Sequence, residues 1–255
     1  MRRAVARPLV PGLPALAALV ALVLGPEVGA AAESCRRSDP DRLDFRFCAD
    51  SGGWVGGFAD LPAAERNGDF YRLSFRRAGV PDPARGRRLG GLRLSGDNHS
   101  DDLFMYVKRQ ITGLAPHAAY AIRLRFTLHT NAGEGCAGIG GAPGESVHVK
   151  AGAVAVEPDA VENENGDLVM NLDKGNQSRG GGDAIVLGDL AAAGANCAGT
   201  RFVSKRFTMH GRGALAAETD RDGNLWVFIG TDSGFEGRTT YYLTRIRLTL
   251  RRRPA

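Results

Sequence analysis

The chain has few cysteines and few aromatic residues, and it lacks short motifs that identify several common enzyme classes. Four of its 255 residues are cysteine and 7% are aromatic. No cysteine lies in a CxxC or cysteine–histidine spacing, so a zinc site is not predicted. Residues 140–146 are rich in glycine but lack the GKS or GKT ending of a phosphate-binding loop, and Gly144-x-Ser146 lacks the GxSxG frame of a catalytic serine. We therefore assign no catalytic residue from motifs.

Helical periodicity and, after the first residues, long apolar runs are also missing. No later segment approaches the roughly 20 apolar residues of a membrane-spanning helix. A recognition helix and an aromatic RNA-binding signature are both absent, so nucleic acid is not a predicted partner. Glycine, in contrast, is abundant at 35 residues, which is typical of a chain with many turns.

The N-terminus has the pattern of a secretory signal peptide. Three early arginines precede a short apolar core at Leu16–Leu24, and small residues follow at 29–32. This pattern predicts a cleaved signal over residues 1–32, export to the periplasm or beyond the cell, and one mature domain over 33–255. Cys35 follows shortly after, but two polar residues separate it from the small residues. A lipid anchor at Cys35 is therefore the less favoured alternative.

Export also bears on the cysteines, because exposed thiols oxidise outside the cytosol. The four cysteines allow three pairings. We favour Cys35–Cys48, which ties the N-terminus to the first predicted strand, and Cys136–Cys197, which joins two glycine-rich loops. Both bonds are structural in this interpretation.

Residues of alternating character predict strands rather than helices. In the segment Tyr120–His129 the apolar residues fall on one face and Arg123 and Arg125 on the other, which is the period of a half-buried antiparallel strand. Many short strands with turn residues between them predict an all-β, antiparallel β-sandwich of jelly-roll type. The predicted strands are Leu43–Cys48, Phe70–Arg76, Leu92–Leu94, Leu103–Ile111, Tyr120–His129, Val147–Val156, Leu168–Leu172, Ala184–Leu187, Phe202–His210, Leu225–Gly230 and Tyr241–Leu250.

Two segments resemble carbohydrate-binding jelly-roll modules of the galactose-binding type. They are the Gly113-Leu114-x-Pro116 corner with the alternating strand that follows it, and Tyr242-Leu243 leading into the last strand. The resemblance implies a β-sandwich that binds glycan. Such modules commonly have a pair of aspartates before the last strand, where they often hold a structural calcium. Because Thr244 and Arg245 stand there, the resemblance does not extend to that calcium.

A second resemblance covers most of the mature chain. The phrases LSGDNHSDDLFMYVKRQITGL, GIGGAPGESVHVKAG, NLDKGNQSRGGGDAIVLGD and LWVFIGTDSGFEG are similar to a family of exported bacterial proteins and lipoproteins without an established activity. It adds no function to the prediction.

The first candidate site is an acidic loop before the strand that begins at Leu103. Calcium prefers several oxygen ligands, and the carboxylates of Asp97, Asp101 and Asp102 make this loop a candidate calcium site. The alternative is a turn in which short polar side chains bond their own backbone, and the absence of an EF-hand spacing favours it. The remaining ligand candidates of this loop are Asn98 and His99.

A second polar loop contains Asn171, Asp173, Asn176 and Gln177 and runs into three glycines. Amides and carboxylates supply both donors and acceptors, which suits sugar hydroxyls. Glycines allow a ligand to approach the backbone. The alternative is that these side chains satisfy backbone groups of a long connection.

Four further charged residues complete the candidate ligand-binding set. Glu145 and Lys150 face either a ligand or each other, and Asp232 and Glu236 follow an apolar strand. Asp232 or Glu236, paired with Asp101 or Asp102, would supply the two carboxylates of a glycosidase. No acid/base frame is specific, so a glycan-active hydrolase is the alternative rather than the main prediction.

Aromatic side chains offer a platform on which a sugar ring stacks, with core packing as the alternative. The candidates are Trp54, Tyr71, Phe104, Tyr106 and Trp226.

Arginines occupy the polar faces of two strands that we expect to be neighbours. They are Arg123 and Arg125 in one strand and Arg245 and Arg247 in the other, and 251–253 end the arginine-rich terminus. Such a face attracts an anionic cell-envelope polymer by charge complementarity, or is simply solvated.

The sequence therefore predicts an exported, non-catalytic binding module for a glycan or cell-envelope polysaccharide, formed by the loops 97–102, 171–177 and 232–236. The alternatives are a secreted hydrolase and a structural or protein-interaction domain of the envelope. The ligand and the oligomeric state are not predicted.

Overall fold

The computed structural model describes residues 36–39, 42–81, 89–209 and 215–254. The predicted signal peptide and Cys35 lie outside these ranges, so the signal, the lipid anchor and the Cys35–Cys48 bond stay predictions. No helix in the described ranges has the length and apolar character needed to cross a membrane.

Strands make up nearly all regular structure in the described ranges, with one 3-10 turn at Ala63–Glu65. In chain order the strands are β1 (Arg36–Asp39), β2 (Arg42–Arg46), β3 (Val55–Ala59), β4 (Leu61–Pro62), β5 (Ser74–Gly79), β6 (Gly90–Asp97), β7 (Leu103–Ile111), β8 (Ala119–Thr130), β9 (Val147–Val154), β10 (Ala160–Glu162), β11 (Asp167–Met170), β12 (Ala184–Asp189), β13 (Val203–Thr208), β14 (Leu215–Glu218), β15 (Leu225–Ser233) and β16 (Arg238–Arg252).

Two antiparallel sheets pack face to face. The larger sheet has the order β1-β2-β16-β6-β5, and β8 pairs with β16 on one side and with β13 and β14 on the other. The smaller sheet has the order β12-β9-β15-β7-β3. This is an all-β sandwich of jelly-roll type, as the alternating sequence predicts.

Alternation along the strands builds the core between the sheets. In β8 Ile122, Leu124 and Leu128 are fully buried, whereas Arg123 and Arg125 point outward and are exposed. The same period places alternate residues of β7, β9 and β15 in this core. The other residues of those strands therefore face away from the larger sheet.

A small third sheet covers part of that outer face. Its order is β10-β11-β4, and Met170 of β11 packs in a second apolar cluster with Phe104, Tyr106 and Phe228 of the smaller sheet. Because β11 lies over the sheet, the loop that follows it, residues 171–183, begins beside the ends of β7 and β15.

The Cys136–Cys197 disulfide is confirmed. It joins the loop after β8 to the loop between β12 and β13, across a sequence separation of 61.

Candidate functional site

The three predicted polar loops converge at one end of the smaller sheet. Gln177 Nε2 donates to the carbonyl oxygen of Asp101 at 2.9 Å, and the Gln177 backbone N–H donates to Asp232 Oδ2 at 3.0 Å. A fourth segment joins them, since Ser100 Oγ donates to the carbonyl oxygen of Asp60 at 3.3 Å. The sequence identified these loops by their polar composition and left their proximity open; the structure brings them together, and Asp60 is an addition to them.

Beneath these loops lies a buried group of charged side chains, here called the ion cluster: Asp60, Asp102, Lys150, Lys174 and Asp232. Asp232 Oδ2 accepts hydrogen bonds from Lys150 Nζ at 2.7 Å and from Lys174 Nζ at 2.8 Å. Lys174 Nζ also lies 2.8 Å from Asp60 Oδ2. The side chains of Lys150 and Asp232 are both 0% exposed. The cluster thus ties β9, β15 and three loop segments together in a water-poor environment.

Asp102 is the member of the ion cluster that is a protonated, neutral acid at pH 7. Burial, the hydrogen bond to Asp232 and the charges of Asp232 and Asp60 raise the pKa of Asp102 to about 8. Two carboxyl groups share a hydrogen bond only when one of them is protonated. At neutral pH the cluster therefore contains two carboxylates, two ammonium groups and one neutral acid, so its formal charges cancel.

The other members of the cluster have pKa shifts in both directions, and burial raises the pKa of Asp60 although Lys174 opposes this shift. Burial works to raise the pKa of Asp232, but the adjacent Lys174, Asp102 and Lys150 outweigh it and hold the pKa below its usual value. Burial works to lower the pKa of Lys174, and the charges of Asp232 and Asp60 overcome it and raise the pKa. Burial lowers the pKa of Lys150 although Asp232 opposes this shift. Removing Asp232 would therefore leave Lys150 without its carboxylate partner and Lys174 with Asp60 alone, so burial would penalise both charges more strongly.

Asp102 gives the fold a pH dependence. The folded protein holds this proton up to a pKa of about 8, whereas the unfolded chain releases it near 3.8, so folding takes up a proton between these values. The stabilisation due to Asp102 is fully present below the unfolded pKa and is lost as pH rises through the folded pKa. We expect the melting temperature of the wild type, relative to that of Asp102→Asn, to fall between about pH 4 and about pH 8 and to level off above that, since the amide donates a similar bond without titrating. Scanning fluorimetry of both proteins measures the difference, and parallel pH profiles would contradict the assignment.

The same carboxylates form the metal-ligating group found among the described residues, Asp60, Asp102 and Asp232. A divalent cation does not fit there, because Asp232 Oδ2 already contacts two ammonium groups. The calcium loop predicted from sequence has a different set of carboxylate ligands, Asp97, Asp101 and Asp102. Its Asp97 binds a guanidinium while its Asp102 faces Asp232, so these two carboxylates serve different partners. Calcium binding by Asp97, Asp101 and Asp102 stays a prediction.

Several predicted ligand-binding residues are internal instead. Lys150 and Asp232 are enclosed in the ion cluster. Asn98 is 1% exposed, and its amide donates to the backbone carbonyls of Ser233, at the end of β15, and of Phe235. Glu145 Oε1 accepts the backbone N–H of Gly135 at 2.7 Å. Lys150, Asp232 and Asn98 therefore bond within the fold, whereas Glu145 is partly exposed. Ligand binding by these four side chains stays a prediction.

The burial of Asp232 also bears on the hydrolase alternative. Asp102 does lie beside Asp232, as that alternative requires, but the pair shares a proton and is enclosed with two lysines. Retaining and inverting glycosidases need their two carboxyls about 5 Å or more apart, with the sugar between them. No sugar fits between hydrogen-bonded acids, so this pair is not a glycosidase centre.

In the second polar loop two of the predicted residues bind backbone and others face solvent. Asn171 bridges to the backbone of Glu157 and Asp159, and the Asp173 carboxylate accepts the N–H groups of Gly175 and Gly182. These are the bonds that the structural alternative for this loop anticipated. Asn176 is exposed at the surface of the site, with the exposed Ser178 two residues on. Gln177 is the link to the ion cluster.

An aromatic pair stands at the exposed edge of the site. Phe70 is 57% exposed and stacks on His99 with ring centroids 3.9 Å apart, while Tyr71 lies beneath at 2% exposure and meets His99 edge to face. His99 Nε2 lies 3.2 Å from the carbonyl oxygen of Phe70, which holds the two segments together. We call the exposed residues Phe70, His99, Asp101 and Asn176 the rim.

The rim corrects the prediction of an aromatic platform. Trp54, Tyr71, Phe104 and Tyr106 are at most 2% exposed and belong to the core, and Trp226 is partly buried with Lys108 Nζ 5.8 Å from its ring centroid. Phe70 was placed in a strand from its sequence, but β5 begins only at Ser74, which leaves Phe70 in a surface loop.

Charged side chains flank the aromatic pair. The Asp97 carboxylate accepts two hydrogen bonds from Arg238, from Nε at 2.5 Å and from Nη2 at 2.8 Å, and it lies 3.6 Å from Arg72 Nε. Both guanidinium groups remain partly exposed, at 67% for Arg72 and 48% for Arg238. Their remaining N–H donors face the solvent beside the rim. The last candidate, Glu236, is partly exposed in the strand-like bridge to Ile139.

Unusual backbone conformations concentrate here. Asp60, Arg72, Asp101 and Gln177 have φ values of 62°, 44°, 58° and 44°, in the left-handed region that residues other than glycine seldom adopt. Such strain persists where surrounding contacts determine the conformation, and it clusters at binding and catalytic sites. The ion cluster supplies those contacts.

Comparison with known proteins gives structural likeness only. No protein-family model matches the chain, and no curated protein matches it. The chain is similar to a putative sugar-binding protein from Bacteroides thetaiotaomicron, with 12% identity over 81% of this chain and 90% of that chain and a TM-score of 0.38. It is similar to a carbohydrate-binding module described for mannan recognition, with 15% identity over 82% and 95% of the chains and a TM-score of 0.38.

A third similar structure is the enzymatically active domain of tailspike protein 4 from bacteriophage CBA120. The identity is 10% over 78% of this chain, which spans only 19% of that chain, and the TM-score is 0.34. At these values the likeness assigns neither a site residue nor a ligand to this chain.

Proposed function

We propose that the protein is a non-catalytic glycan-binding module whose ligand lies on the rim. The observation that supports this most directly is the exposed Phe70 ring, stacked on His99 and surrounded by hydrogen-bonding groups. An exposed phenylalanine ring gains the favourable free energy of burial only when a partner covers it. The apolar face of a sugar ring is such a partner, and its hydroxyls then need donors and acceptors close by.

The rim provides both kinds of group. Asp101 offers a carboxylate, Asn176 an amide, and the exposed N–H groups of Arg72 and Arg238 are donors. The ion cluster beneath holds these groups in place, so that little conformational entropy is lost on binding. Export to the compartment where glycans occur is part of this proposal, with which the Cys136–Cys197 disulfide is compatible.

Replacing Phe70 by alanine tests the proposal. A glycan array identifies ligands of the wild type, and isothermal titration measures the affinity for the strongest of them. We expect Phe70→Ala to weaken binding at least about tenfold, roughly 1.4 kcal/mol, because the stacking surface is lost. Alanine at His99 is expected to weaken it less, since His99 supports the Phe70 ring.

Val156→Ala is the matched control. Val156 is 58% exposed, nearly the same as Phe70, and follows the end of β9 that is remote from the rim. The affinity of Val156→Ala for the glycan should equal that of the wild type. Equal losses in the two variants, or a folded wild type that binds no glycan on the array, would contradict glycan binding at the rim and favour a structural role in the envelope.

A further inference from the structure

The outer face of the larger sheet is covered with arginines. Arg123 and Arg125 of β8 face outward. Further arginines come from β13 and β16, which pair with β8, and from β2, which pairs with β16. We call this surface the arginine face. Its arginines are Arg46, Arg123, Arg125, Arg206, Arg245 and Arg247.

The strand register sets arginines against one another. Arg247 lies directly opposite Arg125, and Arg245 lies directly opposite Arg46. Like charges in directly opposed positions destabilise a sheet. This arrangement therefore costs folding energy unless an anion binds between the guanidinium groups.

Within the described residues one carboxylate offsets this charge. Asp44 binds Arg245 through both carboxylate oxygens and lies 3.4 Å from Arg247 Nε. Burial works to raise the pKa of Asp44, but these arginines outweigh it and lower the pKa. Among the side chains that the structure describes, Arg46, Arg125 and Arg206 have no carboxylate within ion-pair distance. The face keeps a large excess of positive charge.

Threonines alternate with the arginines. Thr127 lies between Arg206 and Arg245 in the register, and Thr208 lies opposite Arg125. An open groove crosses this part of the sheet, lined by arginine and threonine side chains. Neighbouring strands are about 4.8 Å apart and alternate residues of one strand about 6.8 Å apart, so guanidinium groups recur at short intervals along the groove.

We propose that the arginine face binds an acidic polysaccharide, with guanidinium groups pairing with the carboxylates of uronic-acid units and threonine hydroxyls bonding sugar hydroxyls. The arginine fork matches a carboxylate in a two-bond geometry. Single-stranded nucleic acid is less well matched, because the described side chains of this face include no exposed aromatic ring for stacking bases. An anionic membrane is less well matched because, among the residues of the face that the structure describes, no exposed apolar side chain is available to insert. The surface shares no residue with the rim.

Polygalacturonate binding tests this proposal. The double variant Arg125→Gln/Arg206→Gln removes two arginines that have no carboxylate partner, and Arg66→Gln/Arg221→Gln removes the same net charge from exposed sites elsewhere. Affinity is measured at several salt concentrations, with neutral dextran as the negative control. We expect the first variant to bind polygalacturonate at least tenfold more weakly than the wild type, with a shallower salt dependence, and the second to stay within twofold. Unchanged melting temperatures establish that both variants are folded.

Three results would overturn the proposal. Equal losses in the two double variants would show that only net charge matters. Tighter binding of single-stranded DNA than of polygalacturonate, lost in Arg125→Gln/Arg206→Gln, would assign the face to nucleic acid. Tighter binding of phosphatidylglycerol vesicles, lost in the same variant, would assign it to a membrane. Phe70→Ala should leave polygalacturonate binding unchanged, which separates this surface from the rim.

Discussion

Alanine at Asp232 is expected to destabilise the fold by about 3–5 kcal/mol, because it removes the shared counter-charge of two buried ammonium groups. The side chain of Lys150 is 0% exposed and that of Lys174 is 7% exposed, so solvent does not compensate these charges when the carboxylate is removed. A loss of this size is a large part of the total stability of a typical domain, about 5–15 kcal/mol. Chemical denaturation of wild type and variant measures it.

Two companion variants make the Asp232 result specific. Asp101→Asn removes an exposed charge from the same site, and asparagine tolerates the left-handed backbone of this position, so stability should change by no more than about 0.5 kcal/mol. Adding Lys150→Met to Asp232→Ala removes one unpaired cation and should restore part of the lost stability. If Asp232→Ala were as mild as Asp101→Asn, the ion cluster would not hold the loops together.

Loss of the Cys136–Cys197 bond is the second large effect. The bond closes a loop of 61 residues in the unfolded chain, and the loop-entropy relation gives about 4 kcal/mol for that length. We expect Cys136→Ala/Cys197→Ala to lower the melting temperature strongly without altering the strand content seen by circular dichroism. The measurement is made under oxidising conditions, so that any bond at Cys48 is left intact.

A single replacement provides the control for the disulfide. Cys136→Ala alone should lose nearly the full stabilisation, because either replacement opens the loop. If the double variant and the wild type melted together, the Cys136–Cys197 bond would make no contribution and the pairing would be in doubt.

The fold was predictable wherever residues alternate. The predicted strand Leu103–Ile111 has the bounds of β7, and β8 extends the predicted strand by one residue at each end. β3 was not predicted because its sequence, VGGFA, contains two glycines, which are uncommon in strands. The structure shows the reason: a Cβ at Gly56 would lie 2.2 Å from the Phe75 ring, and one at Gly57 would lie 2.3 Å from the Tyr106 ring. Neighbouring aromatic rings occupy the space that side chains would need.

The site was predictable in its composition but not in its burial. The polar loops were identified because carboxylates and amides are concentrated in them, and Gln177 does link two of these loops. Asp232 occupies an outward position of β15, which suggests exposure, yet the loop after β11 covers it. The burial of Asp232 depends on contacts with Lys174 and Gln177, which lie more than 50 positions away in the sequence. The residue pattern of a single strand does not reveal such contacts. The exposure of Phe70 was not predicted, because an aromatic residue shortly before SFRRAG favours a longer strand in which Phe70 is included.

The most direct test of the central claim is a crystal structure of the protein with the oligosaccharide that binds it most tightly on the array. We expect a sugar ring stacked on the exposed Phe70 ring, with hydroxyls bonded to Asp101, Asn176 or the neighbouring guanidinium groups, and an ion cluster unchanged beneath it. A sugar bound away from Phe70, for example over Trp226, would contradict glycan binding at the rim.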